Sequence, residues 1–366
     1  MKSRRVRLSD IAELTVGFVG NMTNQYKDEG VKFLRSLNIK PFSIVEDDLK
    51  YISTEFNESL RKSILHENDL IIVRTGMPGT CCVVSKDYEG CNCADVVLVR
   101  PNLQVVNPHY LAAYINVWGK KQVENNKVGA IQKHFNVKSA EEMLIDLPDL
   151  ESQNKVAKIL CDLNDKIISN EKINDYLYQM AYAEYMHMFY GKAPNTKLGN
   201  VIIEHPKSSV QVGEAKEQFG NIPFFTSGEA IYRWTESFVS DRSIFLNTGG
   251  NADIKFYVGN AAYSTDTWCI SGKNNLSDYV YLMLKSIKLE LDQKFFQGTG
   301  LKHLQKPLLK DRLIYVPTNV EIDTFNADIQ PRLSMISDNI RESEKLTALR
   351  DWLLPMLMNG QATIEN

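Results

Sequence analysis

The feature that most constrains this chain is a helical seam in residues 153–181, QNKVAKILCDLNDKIISNEKINDYLYQMA. Val156, Leu160, Leu163, Ile167, Asn170, Asn174, Leu177 and Ala181 follow one another at alternating steps of four and three. An α-helix lines such residues up along one side, where a partner helix can cover them. Neither Pro nor Gly interrupts the stretch. Asn170 and Asn174 break the apolar run, and polar residues at seam positions weaken packing while fixing register. An ordinary amphipathic core helix would show the same short series, so the seam alone leaves its partner open. A second such stretch closes the chain at residues 321–354. It places Phe325, Ile329, Leu333, Ile336, Ile340, Ser343 and Leu346 near heptad spacing. Pro331, early in that stretch, predicts a boundary or a kink.

Between the helices the chain reads twice. Residues 1–148 predict a mixed α/β domain: a short helix or turn at 8–14 and strands at 31–39, 70–73, 81–84 and 95–99. A Gly- and Pro-rich turn follows at 74–79, and Pro108 opens a helix through Trp118. Residues 192–318 repeat the plan. Residues 197–202 answer 7–12, 222–227 answer 31–36, and 243–250 answer 69–76. Likewise 278–285 answer 109–117, 298–303 answer 129–134, and 313–317 answer 144–148. The expected order is a first domain at 1–148, a first long helix at 149–191 and a second domain at 192–318. A second helix and C-terminal tail occupy 319–366. The repeat keeps order and end markers rather than identity, which suggests a duplicated unit whose two domains read different things.

A chain of 366 residues has room for two domains, and 43% hydrophobic with 24% charged residues suffices for their cores. A formal net charge of −3 excludes a globally basic surface, so a nucleic-acid role needs local patches or basic partners. The longest apolar runs, such as 96–99, are too short to span a bilayer, and the basic N-terminus lacks an apolar h-region. A cytoplasmic location is expected. Cys81, Cys82, Cys91 and Cys93 invite a zinc reading. Their spacing does not give ligand pairs two to four residues apart, and adjacent strand residues face opposite ways. Buried free thiols are the expectation, with disulfides disfavoured in a cytosolic chain.

Motifs for catalysis are absent across classes. There is no G-x-x-x-x-G-K-[ST] loop, no G-x-S-x-G elbow and no H-E-x-x-H pair. Asn107-Pro108-His109-Tyr110 is similar to the Asn/Asp-Pro-Pro-Tyr/Phe tetrapeptide of amino-methyltransferases, but it lacks the second Pro and a preceding cofactor loop. A helix start accounts for it as well. Two windows are locally basic. Residues 119–138 hold five lysines (Lys120, Lys121, Lys127, Lys133, Lys138) against Glu124. Residues 293–312 hold Lys294, Lys302, Lys306, Lys310 and Arg312 against Asp311. Recurrence at matching places suits phosphate contact, although solvated lysine faces look the same. The strand-end loops 74–79 and 247–253 carry Arg, Asn, Thr and Asp that could reach base edges, or simply make hairpins. The candidate DNA contacts are Arg74, Thr75, Lys133, His134, Asn247, Thr248, Asn251, Thr265, Lys302 and His303.

The two domain-exit segments, Leu147-Pro148 with QNKVAKIL at 153–160 and LTALRDWLLPMLMNG at 346–360, resemble the specificity subunit of Type I restriction–modification systems. FFTSGEAIY at 224–232 and residues 246–266 are similar to its target-recognition domains. The resemblance implies an α/β (α+β) fold: two similar target-recognition domains separated by two long antiparallel coiled-coil helices, with an internal pseudo-two-fold repeat. Each domain would read half of a split site in double-stranded DNA. The helices would set the gap and dock two modification (methyltransferase) subunits. Those subunits would carry S-adenosylmethionine and methylate adenine, and a restriction subunit can join to cleave with ATP. This chain would bind no cofactor and catalyse nothing. As one helix, residues 151–181 span about 45 Å, comparable with one turn of B-DNA at roughly 34–36 Å. The alternatives are a stand-alone adenine methyltransferase or fused restriction enzyme, and a non-DNA coiled-coil adaptor.

Overall fold

The unbroken apolar runs Leu70–Val73 and Val96–Leu98 form strands that are buried on both faces. A computed structural model describes residues 3–119, 122, 135–359 and 361. The chain divides into two units, residues 1–167 with 345–366, and residues 168–344. In the first unit β1 (Ala12–Val16), β2 (Leu70–Val73), β3 (Cys81–Val83) and β4 (Val96–Pro101) make an antiparallel sheet in the order β1-β4-β2-β3. Leu70, Ile72, Val97 and Val99 enter one core with Tyr110 and Leu111 of α1 (Pro108–Tyr114) and Val156 and Leu160 of α2 (Leu150–Phe189). Ile71, Val73, Val96 and Leu98 enter the other with Leu34 and Ile39. The two-residue period of a strand makes this division. It also parts Cys81 from Cys82, one into each core.

The second unit repeats that order. Its strands β5 (Ile202–Glu204), β6 (Arg242–Asn247), β7 (Ile254–Val258) and β8 (Thr267–Gly272) run β5-β8-β6-β7, again antiparallel. Ile244, Leu246, Trp268 and Ile270 face α3 (Ser277–Ser286) together with Tyr185 and Phe189 of α2 and Phe325, Ile329 and Leu333 of α4 (Asn319–Met358). Phe245, Tyr257 and Cys269 face Phe225 and Tyr263. Smaller features recur too. Val31–Leu34 pairs in parallel with Asn92–Cys93, as Ile222–Phe225 does with Ala262–Tyr263. Arg4–Arg7 closes on Leu144–Leu147, as Thr196–Lys197 closes on Leu313–Ile314. The Tyr110 hydroxyl donates to the Asp146 carbonyl at 2.8 Å, and the Tyr279 hydroxyl donates to the Tyr315 carbonyl. The chain is thus mixed domain, long helix, mixed domain, long helix.

Three local expectations change. Only Leu8–Asp10 is helical near the start, and Ala12–Val16 is a strand because β4 has an edge for it to pair with. The strand expected over 31–39 ends at Leu34. The buried Asn38 amide donates to the carbonyls of Val45 and Asp47, at 3.0 and 2.9 Å, and so forces a turn there. Pro331 does not end its helix. Ile329 and Leu333 stay buried on either side of it, so core packing carries α4 past the lost backbone hydrogen bond.

Within the second unit α2 and α4 run antiparallel along the predicted seams. Asn170, fully buried, donates to Glu342 Oε2 at 2.8 Å and to Ser343 Oγ at 3.2 Å. One helical turn on, Asn339 donates to Asn174 Oδ1 at 2.8 Å. A slip by one residue would leave these amides unpaired between helices, so they define the register. In the first unit, Leu354 and Leu357 of α4 share a core with Val156 and Leu160 of α2.

Arg242, at the start of β6, ties sheet, α3 and α4 together. It pairs with the fully buried Asp278 and donates to the Gln330 carbonyl at 3.0 Å and Ser334 Oγ at 2.6 Å. Burial pushes the Asp278 carboxyl up to about 6, with Arg242 pulling the other way. A folded value above the ordinary carboxylate range means that Asp278's contribution to stability is lost as pH rises through about 4 to 6. Arg242→Met should cost the second unit on the order of 3–5 kcal/mol at neutral pH. The loss should shrink near pH ~5, where the orphaned carboxyl takes up a proton. Urea melts of the full chain at the two pH values check this, and equal losses would rule it out.

Candidate nucleic-acid interface

β6 starts at the Arg242 anchor and carries the chain about 17 Å to Asn247, the far end of the sheet from α4. A tight loop follows, turned by Gly250 at φ +83. Asn247 closes it: its amide donates to the carbonyls of Gly249 (2.7 Å) and Asn251, and its oxygen accepts from the Asp253 amide at 2.7 Å. Thr248 Oγ1 donates to the Asp266 carbonyl at 3.0 Å, which brings in the segment that carries Thr265. The Gly250 amide donates to the Lys302 carbonyl, the Leu304 amide to the Thr248 carbonyl, and Gly249 bridges to His303. Six candidates from three separate stretches therefore meet on one surface. Asn251 and His303 are exposed there, and Thr265 and Lys302 are half-exposed. Asn247 is buried and its amide is fully used, so it shapes the loop instead of facing outward.

The basic window 293–312 changes character in three dimensions. Lys294 and Arg312 pair with Glu290, Lys302 with Asp292 and Lys310 with Glu204. Those acids lie outside the window, so counting along the chain overstates its charge. Lys306 rests over the Trp268 ring, 5.3 Å from its centre, and burial pushes its ammonium below the usual lysine range. The Trp268 indole donates to Glu204 Oε2 at 3.0 Å, and Lys310 holds the Glu204 carboxyl below its ordinary range. Half-exposed pairs of this kind contribute only about 0–1 kcal/mol, so a phosphate can compete for the lysines. Glu204 and Trp268 were missed in the sequence because 64 residues separate them.

In the first unit the loop after β2 carries Arg74 and Thr75. Arg74 Nη1 meets Asp95 Oδ1 at 3.0 Å and its Nε donates to the Phe135 carbonyl at 3.2 Å. Thr75 Oγ1 donates to Asp95 Oδ2 at 3.0 Å. Lys133 and His134 lie outside the described residues, as do Lys120, Lys121 and Lys127 of the same window. The methyltransferase-like tetrapeptide is a helix cap: Asn107 Oδ1 accepts from the amides of His109 (2.9 Å) and Tyr110 (3.1 Å), and its amide donates to Asn154. Among the described residues no group of three His, Cys, Asp or Glu is placed to hold a metal ion.

Removing the Asn247 side chain should open the 247–253 loop. Asn247→Ala leaves several loop groups without their partner, at a cost of about 1–3 kcal/mol. Faster amide exchange at Asp253, read by NMR or mass spectrometry, is the expected signature. Unchanged protection would show that the backbone alone closes the loop.

Residues 2–179 match the family model described as Type I restriction modification DNA specificity domain. The chain is 21% identical over 270 residues to the Type I restriction enzyme MjaIX specificity subunit of Methanocaldococcus jannaschii, covering 61% of this chain and 62% of that protein. It is 22% identical over 132 residues to the Type I restriction enzyme EcoBI specificity subunit of Escherichia coli, covering 36% of this chain and 28% of that one. The matches thus span less than two thirds of these relatives. The crystal structure of the Type I restriction-modification system S subunit from M. genitalium superposes with a TM-score of 0.64 at 12% identity, over 99% of this chain and 97% of that one. That likeness shows a shared fold along the length of both chains. Residues 2–179 thus match the Type I restriction modification DNA specificity domain, and the fold shared with that S subunit runs on through the rest of the chain.

Proposed function

We propose that this chain is the non-catalytic, DNA-recognising subunit of a Type I restriction–modification complex, acting in the cytoplasm. The observation that carries the proposal is the repeated sheet order β1-β4-β2-β3 and β5-β8-β6-β7, each followed by a long helix, in a chain whose residues 2–179 match the DNA specificity domain. The scaffold is kept while the strand-end loops differ: Arg74-Thr75 in one half, Thr248-Gly249 in the other. Two copies of one scaffold with different loops suit two different half-sites. Residues 1–148 and 192–318 are the two target-recognition domains. Thr75, Asn251, Thr265, Lys302 and His303 are offered as DNA-facing positions, with Lys133 and His134 retained from the sequence alone.

The helices at 149–191 and 319–366 set the unread gap and dock two modification subunits, which bring S-adenosylmethionine and the methyl transfer to adenine. A restriction subunit can join them. An exposed series on α2 suits that docking: Ile173, Tyr176 and Met180 are 41%, 66% and 52% exposed at helical spacing. With a net charge of −3 the isolated chain should hold DNA weakly and gain affinity from basic partners. No described helix is long and apolar enough to cross a membrane.

Sequencing of modified adenines in a host carrying a modification subunit, with and without this chain, tests the proposal. Adenine methylation within one split motif only when the chain is present is expected. Robust methyl transfer by the purified chain alone would favour a self-contained methyltransferase. The spacing role has its own check: deleting about one heptad from both helices should shorten the gap between the modified half-sites. An unchanged gap would remove the helices as its determinant.

A further inference from the structure

We infer that Arg74 reads a guanine in the half-site of the first domain, and that Asp95 is the positioning residue that holds it for this task. The inference rests on the DNA-recognition reading above. Val73 and Val96 are register partners, so Arg74 and Asp95 leave adjacent strand ends side by side. Asp95 adopts φ 53, in the left-handed region that few residues other than glycine occupy. That backbone brings its carboxylate against the neighbouring loop, where both oxygens are used, one by Arg74 and one by Thr75. An exposed carboxylate near DNA would repel phosphate. Asp95 is about half exposed, at 49%, yet its oxygens are turned to these two donors.

The guanidinium is held on two sides. Its side chain is only 17% exposed, with Nε bound to the Phe135 carbonyl and Nη1 to Asp95. Of the five N–H donors of an arginine, three on Nη1 and Nη2 have no partner among the described residues. A fixed planar fork of this kind matches two acceptors lying side by side, which guanine presents as O6 and N7 in the major groove. A phosphate contact needs no such clamp, since a mobile lysine follows the backbone as well. The counterpart in the second unit, Thr248, spends its hydroxyl on the Asp266 carbonyl, and the neighbouring Asn247 has its whole amide committed to its own loop. Direct base reading from this strand-end position therefore belongs to the first domain alone.

The test uses the full chain with its modification subunits and maps methylated adenines genome-wide for wild type, Arg74→Ala, Arg74→Lys and Asp95→Asn. Arg74→Ala should relax the guanine preference at one position of one half-site by about 5- to 150-fold, the equivalent of about 1–3 kcal/mol of discrimination. The other half-site should be unchanged. Arg74→Lys keeps the charge but not the fork and should lose the same preference with the fold intact. Asp95→Asn should relax that same position to a smaller degree. A uniform fall at all sites with the motif unchanged would make Arg74 a phosphate contact and overturn the base assignment. A full guanine preference in folded Arg74→Lys would do the same. Relaxation in Arg74→Ala but none in Asp95→Asn would overturn the positioning role. If wild type directs split-motif methylation and every variant keeps the motif, this inference alone fails. If wild type directs none, the DNA-recognition reading fails with it.

Discussion

Everything in this molecule depends on a sheet that must be covered on both faces. The central strands carry apolar side chains on alternate sides, so one layer of helices cannot bury them all. In each unit one face is closed by a small inner sheet or the segments around it. The other is closed by a short helix together with the ends of the long ones. Val156 and Leu160 in the first unit, and Phe325, Ile329 and Leu333 in the second, are core residues of the domains as much as seam residues of the helices. A fully buried leucine contributes about 1.5–3 kcal/mol, so the helices are bound to the sheets by the same force that folds the sheets. The polar part of the seam, Asn170 with Glu342 and Ser343 and Asn174 with Asn339, adds register to that attachment.

Electrostatics divides the two strand-end loops in a way that composition hides. In the second unit Lys294, Lys302 and Lys310 of the basic window are met by acids from outside it, the Thr248 hydroxyl goes to the Asp266 carbonyl, and the Asn247 amide is absorbed by its own loop. In the first, Asp95 and the Phe135 carbonyl hold Arg74 and leave part of its fork without a partner among the described residues. The same place in a duplicated scaffold has thus become an internal brace in one copy and a clamped donor in the other. The scaffold tolerates the exchange because both loops lie at strand ends, beyond the last ladder hydrogen bonds, where side-chain chemistry can change without disturbing either core.

Much of the architecture was legible from periodicity. The heptad seam located both long helices, and the paired end markers revealed the duplication, because backbone geometry ties side-chain direction to residue spacing. The split of Cys81 and Cys82 followed from the same rule. Strand Ala12–Val16 was missed although AELTV alternates apolar and polar residues, because Ser9 and Asp10 just before it read as a helix or turn start and a short edge strand is decided by the partner it finds. The helix boundary that Pro331 allowed for does not occur, because its local cost is set against buried neighbours that a linear reading does not weigh.

By itself, then, the sequence determined element order, the repeat, the seams and the family likeness, all of which are local or periodic properties of the chain. The tertiary structure alone decided which side chains remain available. It joined Glu204 to Trp268 and Lys310, Arg242 to Asp278 and α4, and Asp95 to Arg74 and Thr75. Each of these depends on contacts between residues distant in the chain, and a hydrogen-bond donor consumed inside the fold looks the same in sequence as one left facing outward.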